Sequence, residues 1–306
     1  MVALRRAAYS AGLAGRQGFP VPIIVVGNLT VGGSGKTPLV IYLASVLRQR
    51  GRRPGIVSRG YGGDIRFVDE ATAASDPAVV GDEPVLLARR AGCPVYVGRD
   101  RVAAARALLA AHPECDLILS DDGLQHYGLT RDIELAVFDE RGAMNGWCLP
   151  AGPLREPLAR LASVDAQVLN GTAVPPPPTF GRPCFSMHLL GKRFHRLADP
   201  QTTCGAEDLK PMKLHAVAGI GSPRRFFDML RAMELDVAEH AFPDHHEYRV
   251  GDLEFADGVV LTTEKDAVKL ARLTIALPVW VLPVSVEVSP DLAGFVLEKL
   301  NGCASA

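Results

Sequence analysis

A glycine-rich stretch near the N-terminus carries the residue types that bind phosphate. GSGKT (residues 33–37) matches the end of the P-loop pattern G-x-x-x-x-G-K-[ST], whose backbone N–H groups surround phosphate oxygens at the start of a helix. Lys36 adds an ammonium group, and Thr37 offers a hydroxyl suited to Mg²⁺. Thr30 stands where the pattern has its first glycine, so only the start of the loop departs from the pattern. We predict that nucleotide phosphates are bound by Thr30, Val31, Gly32, Gly33, Ser34, Gly35, Lys36 and Thr37.

Two adjacent carboxylates follow an apolar run in LILSDDG (residues 117–123). P-loop enzymes hold Mg²⁺ with an acidic group at the end of a neighbouring strand, and Asp121 and Asp122 occupy such a position. Gln125 and His126 come soon afterwards, and we expect them to face the same crevice. The alternative is an ordinary Asp-Asp-Gly turn, which the neighbouring phosphate loop makes the weaker interpretation.

Two further polar stretches contain groups that can move a proton. Asp82 begins a helical run in GDEP, where an acid is often only a helix cap or a partner of the helix dipole. FPDHHEYR (residues 242–249) places Asp244, His245, His246 and Glu247 together, and a histidine with a carboxylate partner is what general-base assistance to a hydroxyl requires. A solvated loop is the alternative there. Zinc binding is disfavoured because the sequence has neither H-E-x-x-H nor a cysteine pair.

The prediction of which nucleotide is bound depends on the absence of a guanine-binding motif at the expected spacing. Proteins that bind guanine commonly use N/T-K-x-D, with the lysine two residues before the aspartate. In TTEKD, Lys265 directly precedes Asp266, so this pattern is not met. We therefore expect the cofactors to be ATP and Mg²⁺.

The elements that must position these groups alternate between strand and helix signals. VPIIVVG (residues 21–27) is an apolar run typical of a parallel strand buried on both faces. After the loop, Leu39, Leu43 and Leu47 fall on one helical face, and Gly51 is placed to end that helix. Strand signals recur in PGIVS, CPVYVG, DLILSDD and IELAVFD, with an alanine-rich helix among them. This rhythm predicts a P-loop NTPase-like α/β fold, a doubly wound and mostly parallel sheet that binds ligands at the carboxyl ends of its strands.

A proline-rich stretch interrupts this rhythm at residues 173–183. Four consecutive prolines favour a stiff, extended connector. Beyond them, CFSMHLLGKRFHRLAD predicts a pair of strands, and two strand–helix units follow. We predict a P-loop nucleotide-binding domain at 1–172, a linker at 173–183 and a second, smaller α/β domain at 184–306.

Composition excludes several classes of protein. Of the 306 residues, 48% are hydrophobic and 22% charged, as in soluble globular proteins. A net charge of −1 gives no global field that would gather nucleic acid or anionic lipid, although basic residues cluster locally at residues 48–54 and 98–101. Six scattered cysteines without a C-x-x-C pair indicate reduced thiols in a cytoplasmic protein. The apolar stretches near the N-terminus are too short and interrupted for a signal peptide or a spanning helix, so a membrane would be met from its surface.

With these residues assembled, the sequence resembles the tetraacyldisaccharide 4′-kinase (lipid A 4′-kinase) family of Gram-negative bacteria. Eight motifs in one order make the resemblance specific, and threonine at position 30 belongs to the family's own loop. The motifs span residues 26–270 and are VGNLTVGGSGKTP, SRGYGG, GDEP, GRDR, DDGLQH, LPAGPLREP, FPDHHEY and TTEKDAVKL.

The resemblance implies an activity and a location. The activity is transfer of the ATP γ-phosphate to the 4′-hydroxyl of a tetraacyldisaccharide 1-phosphate, which forms lipid IVA in lipid A biosynthesis. The location is the cytoplasmic face of the inner membrane, where the enzyme would be peripheral. The implied partners are the lipid disaccharide 1-phosphate and the membrane surface, with neither nucleic acid nor an obligate protein partner.

The resemblance also implies roles for single residues. Lys36 contacts the transferring phosphate, and Asp82 acts with His245 in activating the sugar hydroxyl. The Mg²⁺-associated acids are Asp121 and Asp122, with Thr37 beside them. The acceptor side of the site is expected to include Gln125, His126, Arg155 and Glu156.

Two competing interpretations belong to other classes. One is a nucleotide-dependent P-loop switch or metallochaperone, which the DHH stretch favours and the absence of clustered cysteines opposes. The other is a non-catalytic, membrane-associated module that binds ATP without acceptor-dependent turnover. The resemblance implies a longer N-terminal segment that helps to bind lipid, whereas MVALRRAAYSAGL begins late in that segment and offers only a weak apolar stripe at Val2, Leu4 and Leu13.

Overall fold

The structure is a computed structural model that describes Tyr9, residues 15–173 and residues 175–303. The apolar stripe predicted at Val2, Leu4 and Leu13 lies outside the described residues. Among the helices of the described ranges, none has both the length and the apolar character needed to cross a membrane.

Within these ranges the strands form two sheets. In chain order they are β1 (Ile23–Gly27), β2 (Pro54–Ser58), β3 (Asp69–Glu70), β4 (Val95–Val97), β5 (Leu117–Asp121), β6 (Ile133–Asp139), β7 (Ala166–Asn170), β8 (Cys184–Gly191), β9 (Phe194–Arg196), β10 (Thr203–Cys204), β11 (Leu214–Ala218), β12 (Val237–Ala241), β13 (Val259–Thr263), β14 (Val279–Leu282) and β15 (Val284–Ser289).

The helices connect these strands. In chain order the α-helices are α1 (Lys36–Gln49), α2 (Pro77–Val80), α3 (Asp82–Arg90), α4 (Arg101–Ala111), α5 (Ala206–Leu209), α6 (Pro223–Ala232), α7 (Glu264–Leu270) and α8 (Leu292–Cys303). Short 3₁₀ helices cover Leu158–Ser163 and Val250–Leu253.

The chain divides into two compact units, and the first comprises residues 1–188 together with 286–306. Its sheet has the order β15-β8-β7-β6-β1-β5-β2-β4-β3, and β1 pairs in parallel with both β5 and β6. The residues that follow β1 and β5 therefore meet at the same edge of the sheet. The predicted doubly wound, mostly parallel α/β fold is confirmed.

The sequence of β1 explains its central place. All five of its residues are buried, as the apolar run predicts. Ile23 and Val25 pack into a core cluster with Ala104 and Leu108 of α4. Because side chains alternate along a strand, Ile24 and Val26 point to the other face of the sheet. A strand buried on both faces holds the loop that follows it on a rigid base.

The second unit comprises residues 189–285 and has its own core. Its sheet has the order β10-β9-β14-β13-β11-β12, parallel except where β9 pairs with β10 and β14. The strand pair predicted over CFSMHLLGKRFHRLAD is wrong in its partners, because β8 pairs with β7 in the large sheet and β9 pairs within the small one. An alternating pattern identifies a strand but carries no information about its neighbour.

The predicted division of the chain also differs from the structure. Residues 173–183 join β7 to β8, which are adjacent parallel strands of one sheet. The chain passes between the units within β8 and returns within β15, so that α8 belongs to the first unit. There Phe295 packs on Phe185 with ring centroids 5.4 Å apart, and Lys299 pairs with Asp165 at 2.8 Å. Apolar packing of the last helix therefore overrides the break that the prolines indicate.

Candidate active site

The loop between β1 and α1 needs glycine at its last position. Gly35 precedes the helix with φ 92° and ψ 21°, a left-handed conformation that disfavours residues with a Cβ atom. A Cβ built on Gly35 would also lie 2.4 Å from Nδ2 of Asn170. Because glycine has no Cβ, it tolerates both this conformation and the nearby Asn170. The chain can therefore turn into α1, whose first helical residue is Lys36.

The polar groups of this loop are used unequally. Two of its carbonyl groups accept hydrogen bonds from side-chain amides: Asn28 Nδ2 donates to the Gly32 carbonyl at 3.3 Å, and Asn170 Nδ2 donates to the Ser34 carbonyl at 3.1 Å. The amides of residues 32–35 donate to no backbone acceptor within the described ranges. A concave run of open N–H groups at a helix N-terminus attracts anions. The loop therefore presents positive partial charge without the help of a ligand.

The start of the loop is held by a different segment of the chain. Thr30 is 3% exposed and forms an antiparallel bridge with Leu154. On either side of it, the Val31 amide donates to the Pro153 carbonyl at 2.9 Å, and the Arg155 amide donates to the Leu29 carbonyl at 2.6 Å. Thr30 does not have a positive φ angle, unlike Gly32 and Gly35. A threonine in place of the first glycine is thus explained, since this position needs extended pairing with LPAGPLREP.

Asp122 links the loop to the end of β5. Lys36 Nζ lies 3.6 Å from Asp122 Oδ1, and Arg155 Nη1 lies 2.9 Å from each carboxylate oxygen. Burial alone would raise the pKa of Asp122, but the positive charges of Lys36 and Arg155 outweigh it and hold the pKa below its ordinary value. Asp122 is therefore a carboxylate oriented by two cations, and its backbone is left-handed with φ 48°.

Asp121 has a very different environment. It is 1% exposed, and neither carboxylate oxygen has a hydrogen-bond partner among the described residues. Burial, and then the negative charges of Glu83 and Asp122, raise its pKa to about 7. The nearby guanidinium of Arg101 donates instead to the backbone carbonyls of Asp121 and Asp122, at 2.7 and 2.8 Å. A buried carboxylate without donors and among like charges is a suitable ligand for a cation.

These residues fit Mg²⁺ better than a metal held by protein alone. In the part of the chain that the structure describes, no group of three or more His, Cys, Asp or Glu side chains forms a ready metal cage. Mg²⁺ needs none, because it is usually bound by one or two carboxylates together with waters and substrate phosphates. Asp121 offers open oxygens, and the Thr37 residue is 9% exposed at the start of α1.

A cleft of about 780 Å³ lies beside these acids in the first unit. Its lining is rich in arginine, the side chain that best matches phosphate geometry. The lining residues are Ser58, Arg59, Tyr61, Glu83, Arg99, Arg101, Asp121, Asp122, Gln125, His126, Cys148, Leu149, Arg155 and Pro157. Glu83 and the arginines at 59, 99 and 101 were not among the predicted site residues. The basic residues of SRGYGG and GRDR are the sequence signal that could have found the arginines.

The four residues predicted on the acceptor side do not all reach this cleft. Gln125, His126 and Arg155 line it, whereas Glu156 is 1% exposed and is not part of the lining. Glu156 accepts hydrogen bonds from Gln125 Nε2 at 3.0 Å and from the Tyr127 hydroxyl. Gln125 Nε2 also donates to the Asn28 carbonyl at 3.1 Å. Glu156 therefore orients Gln125 from beneath the cleft.

The two predicted proton-transfer residues belong to different units. Asp82 is the first residue of α3 in the first unit; it is 4% exposed, and its Oδ1 accepts from the Glu83 amide at 2.8 Å. His245 lies in the second unit in a left-handed conformation, φ 61°, and its amide donates to the Gly219 carbonyl at 3.2 Å. Lys265 Nζ lies 3.4 Å from His245 Nε2. Joint action of Asp82 and His245 stays a prediction.

The fold and the loop define the class of this protein. A central parallel strand, a turn of open amides and a helix that begins at a lysine are the parts of a P-loop nucleotide-binding protein. The chain belongs to the tetraacyldisaccharide-1-P 4′-kinase (LpxK) family, whose sequence model matches residues 1–301.

Relatives of the chain bear this out along its length. It is similar to the tetraacyldisaccharide 4′-kinase of Azoarcus sp. (strain BH72), with 53% identity over 98% of this chain and 88% of the relative. It is also similar to the enzyme of that name from Dechloromonas aromatica (strain RCB), with 55% identity over 95% of this chain and 87% of the relative. Among solved structures, LpxK from Aquifex aeolicus in complex with ATP matches with a TM-score of 0.79 at 29% identity, covering 98% of this chain and 95% of that one.

Proposed function

We propose that this protein transfers the γ-phosphoryl group of ATP to the 4′-hydroxyl of a tetraacyldisaccharide 1-phosphate and so forms lipid IVA in lipid A biosynthesis. The family and the names of its relatives support this activity. The observation that carries it for this chain is the loop at residues 32–35, whose amides are open beside Lys36. The solved relative from Aquifex aeolicus is in complex with ATP, which supports ATP as the donor.

The phosphate loop has one task in this reaction, which is to hold and polarise the transferring group. Phosphoryl transfer needs little covalent chemistry from the protein, so positioning and charge stabilisation dominate. Residues 32–37 supply backbone N–H groups and the Lys36 ammonium. The ion pair with Asp122, 3.6 Å from Nζ to Oδ1, helps to fix the position of that ammonium. Lys36 therefore carries the largest single share of the proposed catalysis.

Magnesium is the cofactor that the acidic residues suit. Asp121 and Thr37 would hold it together with the nucleotide phosphates, and Asp122 is oriented beside them by Lys36 and Arg155. When bound, Mg²⁺ neutralises charge on the phosphate oxygens. A carboxylate with a pKa of about 7 releases its proton readily at neutral pH once a cation is near.

The cleft suits an anionic sugar as the acceptor. Arg59, Arg99 and Arg101 give its lining a positive character, and Gln125 and His126 offer hydrogen-bonding groups to a sugar. Phosphate on the acceptor would be bound by the planar guanidinium groups, which match two oxygens at a time. Glu156 acts through Gln125 and is a positioning residue in this proposal.

Removal of the proton from the 4′-hydroxyl is assigned to Asp82 and His245. A neutral imidazole accepts such a proton directly, and a carboxylate partner stabilises the imidazolium that results. For His245, a fixed orientation is supported by the bond from its amide to Gly219 and by Lys265 at its Nε2 atom. Lys265 also lies 3.1 Å from Asp244 Oδ1, which keeps the ammonium in place.

The proposed place of action is the cytoplasmic face of the bacterial inner membrane, with the enzyme held at the surface. ATP is supplied on the cytoplasmic side, and an acceptor with four acyl chains stays in the bilayer. A peripheral enzyme that takes only the sugar headgroup into its cleft meets both conditions.

A transfer assay tests the proposal. The full chain is incubated with γ-labelled ATP, Mg²⁺ and the lipid disaccharide 1-phosphate, and label is counted in the lipid fraction. A matched acceptor whose 4′-hydroxyl is methylated serves as the control. We expect label in the lipid only with the free hydroxyl. Label that appears solely as inorganic phosphate, whichever acceptor is present, would instead support the nucleotide-dependent switch.

A further inference from the structure

A loop beside the cleft exposes large apolar side chains. We call residues 144–149 the interfacial loop. Met144 is 57% exposed, Trp147 66% and Leu149 55%. Apolar side chains that are exposed singly are common on protein surfaces, but a group of them on one loop marks an interaction site.

The exposure is built into the backbone of this loop. Asn145 Oδ1 accepts from the Trp147 amide at 3.1 Å, and Asn145 Nδ2 donates to the Ala151 carbonyl at 3.0 Å. The Leu154 amide donates to the Trp147 carbonyl at 3.0 Å, which joins the backbone at Trp147 to the segment that follows the loop. Gly152 allows this closure, because a Cβ there would lie 2.2 Å from Asn145 Oδ1. A backbone held in this way keeps Trp147 outward instead of folding it onto the core.

The interfacial loop is continuous with the arginine-lined cleft. Leu149 lines the cleft, and so does Tyr61, which is 61% exposed. Arg59 and Arg99 line it as well and are exposed, and neither makes an ion pair within the described ranges. Exposed aromatic and aliphatic groups thus stand next to unpaired positive charge.

We propose that the interfacial loop and Tyr61 dock on the surface of an anionic bilayer, with Arg59 and Arg99 at the level of the lipid headgroups. Tryptophan and tyrosine favour the boundary between headgroups and acyl chains, since each has an apolar ring and a polar end. Basic residues near that boundary are attracted by anionic lipids. An apolar rim beside free arginines matches this layered chemistry better than it matches the neutral surface of a second protein.

The docked arrangement would let the cleft receive an acceptor that stays in the membrane. The inference rests on the proposed lipid acceptor, because a water-soluble acceptor would need no such rim. In the docked state the sugar headgroup enters the cleft past Leu149 and Tyr61, while its acyl chains remain among the other lipids. The loop therefore takes part in delivering the substrate and not in the chemistry.

Tryptophan fluorescence gives the first test. The chain has two tryptophans, Trp147 and Trp280, so Trp280→Phe leaves Trp147 as the only reporter. Vesicles of phosphatidylethanolamine with a minor share of phosphatidylglycerol are added, with and without bromine on the acyl chains. We expect a shift of the emission to shorter wavelength and quenching by the brominated lipid. If protein that has sedimented with the vesicles keeps the emission maximum of a tryptophan exposed to water, the proposal is overturned.

Co-sedimentation with the same vesicles gives the second test. Trp147→Ser is expected to lower the partition coefficient about tenfold or more, the size expected when one large apolar side chain is no longer buried. Phe180→Ser is the matched control, since Phe180 is 49% exposed in the same unit but does not line the cleft. An equal fall of the partition coefficient in both variants would indicate nonspecific hydrophobic adsorption and contradict the proposal. Arg59→Gln combined with Arg99→Gln should weaken the dependence of binding on salt.

The outcomes separate this inference from the proposed function. Neither test requires turnover. Vesicle docking through Trp147 without transfer of label would therefore contradict the proposed kinase activity and support the docking surface. Transfer of label together with unchanged docking of Trp147→Ser would do the opposite. Light scattering of the wild type and of Trp147→Ser covers a further outcome: a dimer that the substitution dissociates would assign the loop to a second copy of the chain and overturn the membrane proposal.

Discussion

The turn between β1 and α1 and the turn between β11 and α6 both follow a buried parallel strand and both lead into a helix. In the first, the amides of residues 32–35 have no backbone acceptor in the described ranges, and the neighbouring Asn28 and Asn170 bind the carbonyls. In the second, the Gly219 amide donates to Asp266 Oδ2 at 3.1 Å, and the Gly219 carbonyl accepts from the His245 amide.

The difference lies in which polar groups the surrounding side chains take. Amide side chains bind carbonyls and leave N–H groups open, whereas a buried carboxylate such as Asp266 consumes an N–H group. A glycine turn after a strand is therefore not by itself a phosphate site. The first turn is the proposed phosphate site, and the second fixes the segment that carries His245.

The largest expected effect comes from the lysine that only the first turn has. Lys36→Ala should lower turnover by about 10³-fold or more, because it removes the ammonium group at the transferring phosphate. Steady-state transfer of label to the lipid measures it. Lys210→Ala, which breaks an exposed pair with Glu234, is the control and should have little effect. Comparable losses in the two variants would remove the assigned role.

The next effect sharpens the role of the second turn. His245→Ala should lower turnover by about 10²–10⁴-fold, the usual size of a general acid–base contribution. The neighbouring His246 is the matched control, since its Nε2 bonds Asp252 at 3.0 Å and its ring stacks on Phe242. His246→Ala should cost far less. Equal turnover in both variants, measured at saturating ATP, would contradict the assignment.

Alanine in the two turns should separate binding from stability. Gly35→Ala faces a left-handed backbone and a close contact with Asn170, so we expect it to lose about 1–3 kcal/mol of stability together with affinity for ATP. Gly219→Ala would meet the Tyr248 hydroxyl at 2.8 Å and should destabilise the second unit without changing affinity for ATP. Thermal unfolding and nucleotide titration distinguish the two. Gly51→Ala, left-handed but with open space around it, controls for the backbone term.

The smallest expected effect is an opposite response of the two units to pH. The pKa of Asp121 rises from 3.8 to about 7, so its contribution to the stability of the nucleotide-free protein is full below pH 3.8 and is lost as pH rises through about 7. Burial and then His215 lower the pKa of His240 from 6.5, so its contribution is full above pH 6.5 and is lost as pH falls.

Hydrogen exchange measured for peptides of each unit, corrected for the intrinsic rate at each pH, tests this contrast. Asp121→Asn should flatten the response of the first unit alone, and His240→Asn that of the second alone. A common response of both units to either substitution would contradict it.

Much of the first unit was predictable from sequence because its signals are local. The apolar run before the loop became β1, the Leu39–Leu47 stripe became α1, and IELAVFD became β6 residue for residue. The position of Asp121 and Asp122 at the end of β5 was predictable because an apolar run leads directly to them.

What the sequence did not reveal depends on distant contacts. Nothing in the alternation of β8 distinguishes β7 from β9 as its neighbour, and nothing in α8 indicates that it packs on Phe185 of the first unit. The burial of Glu156 likewise follows from Tyr127 and Gln125, which lie about thirty residues away. Signals within a few residues locate elements, whereas pairing and burial are decided by the whole sheet.

The passage of the chain through β8 and back through β15 makes the second unit an insertion. Because these two strands are neighbours in the sheet, their backbones lie about 5 Å apart. A short peptide joining His188 to Val286 would therefore excise residues 189–285 and keep α8 in its place. A chain cut at residue 183 would instead leave β7 as a bare edge, with a row of unpaired backbone groups open to aggregation.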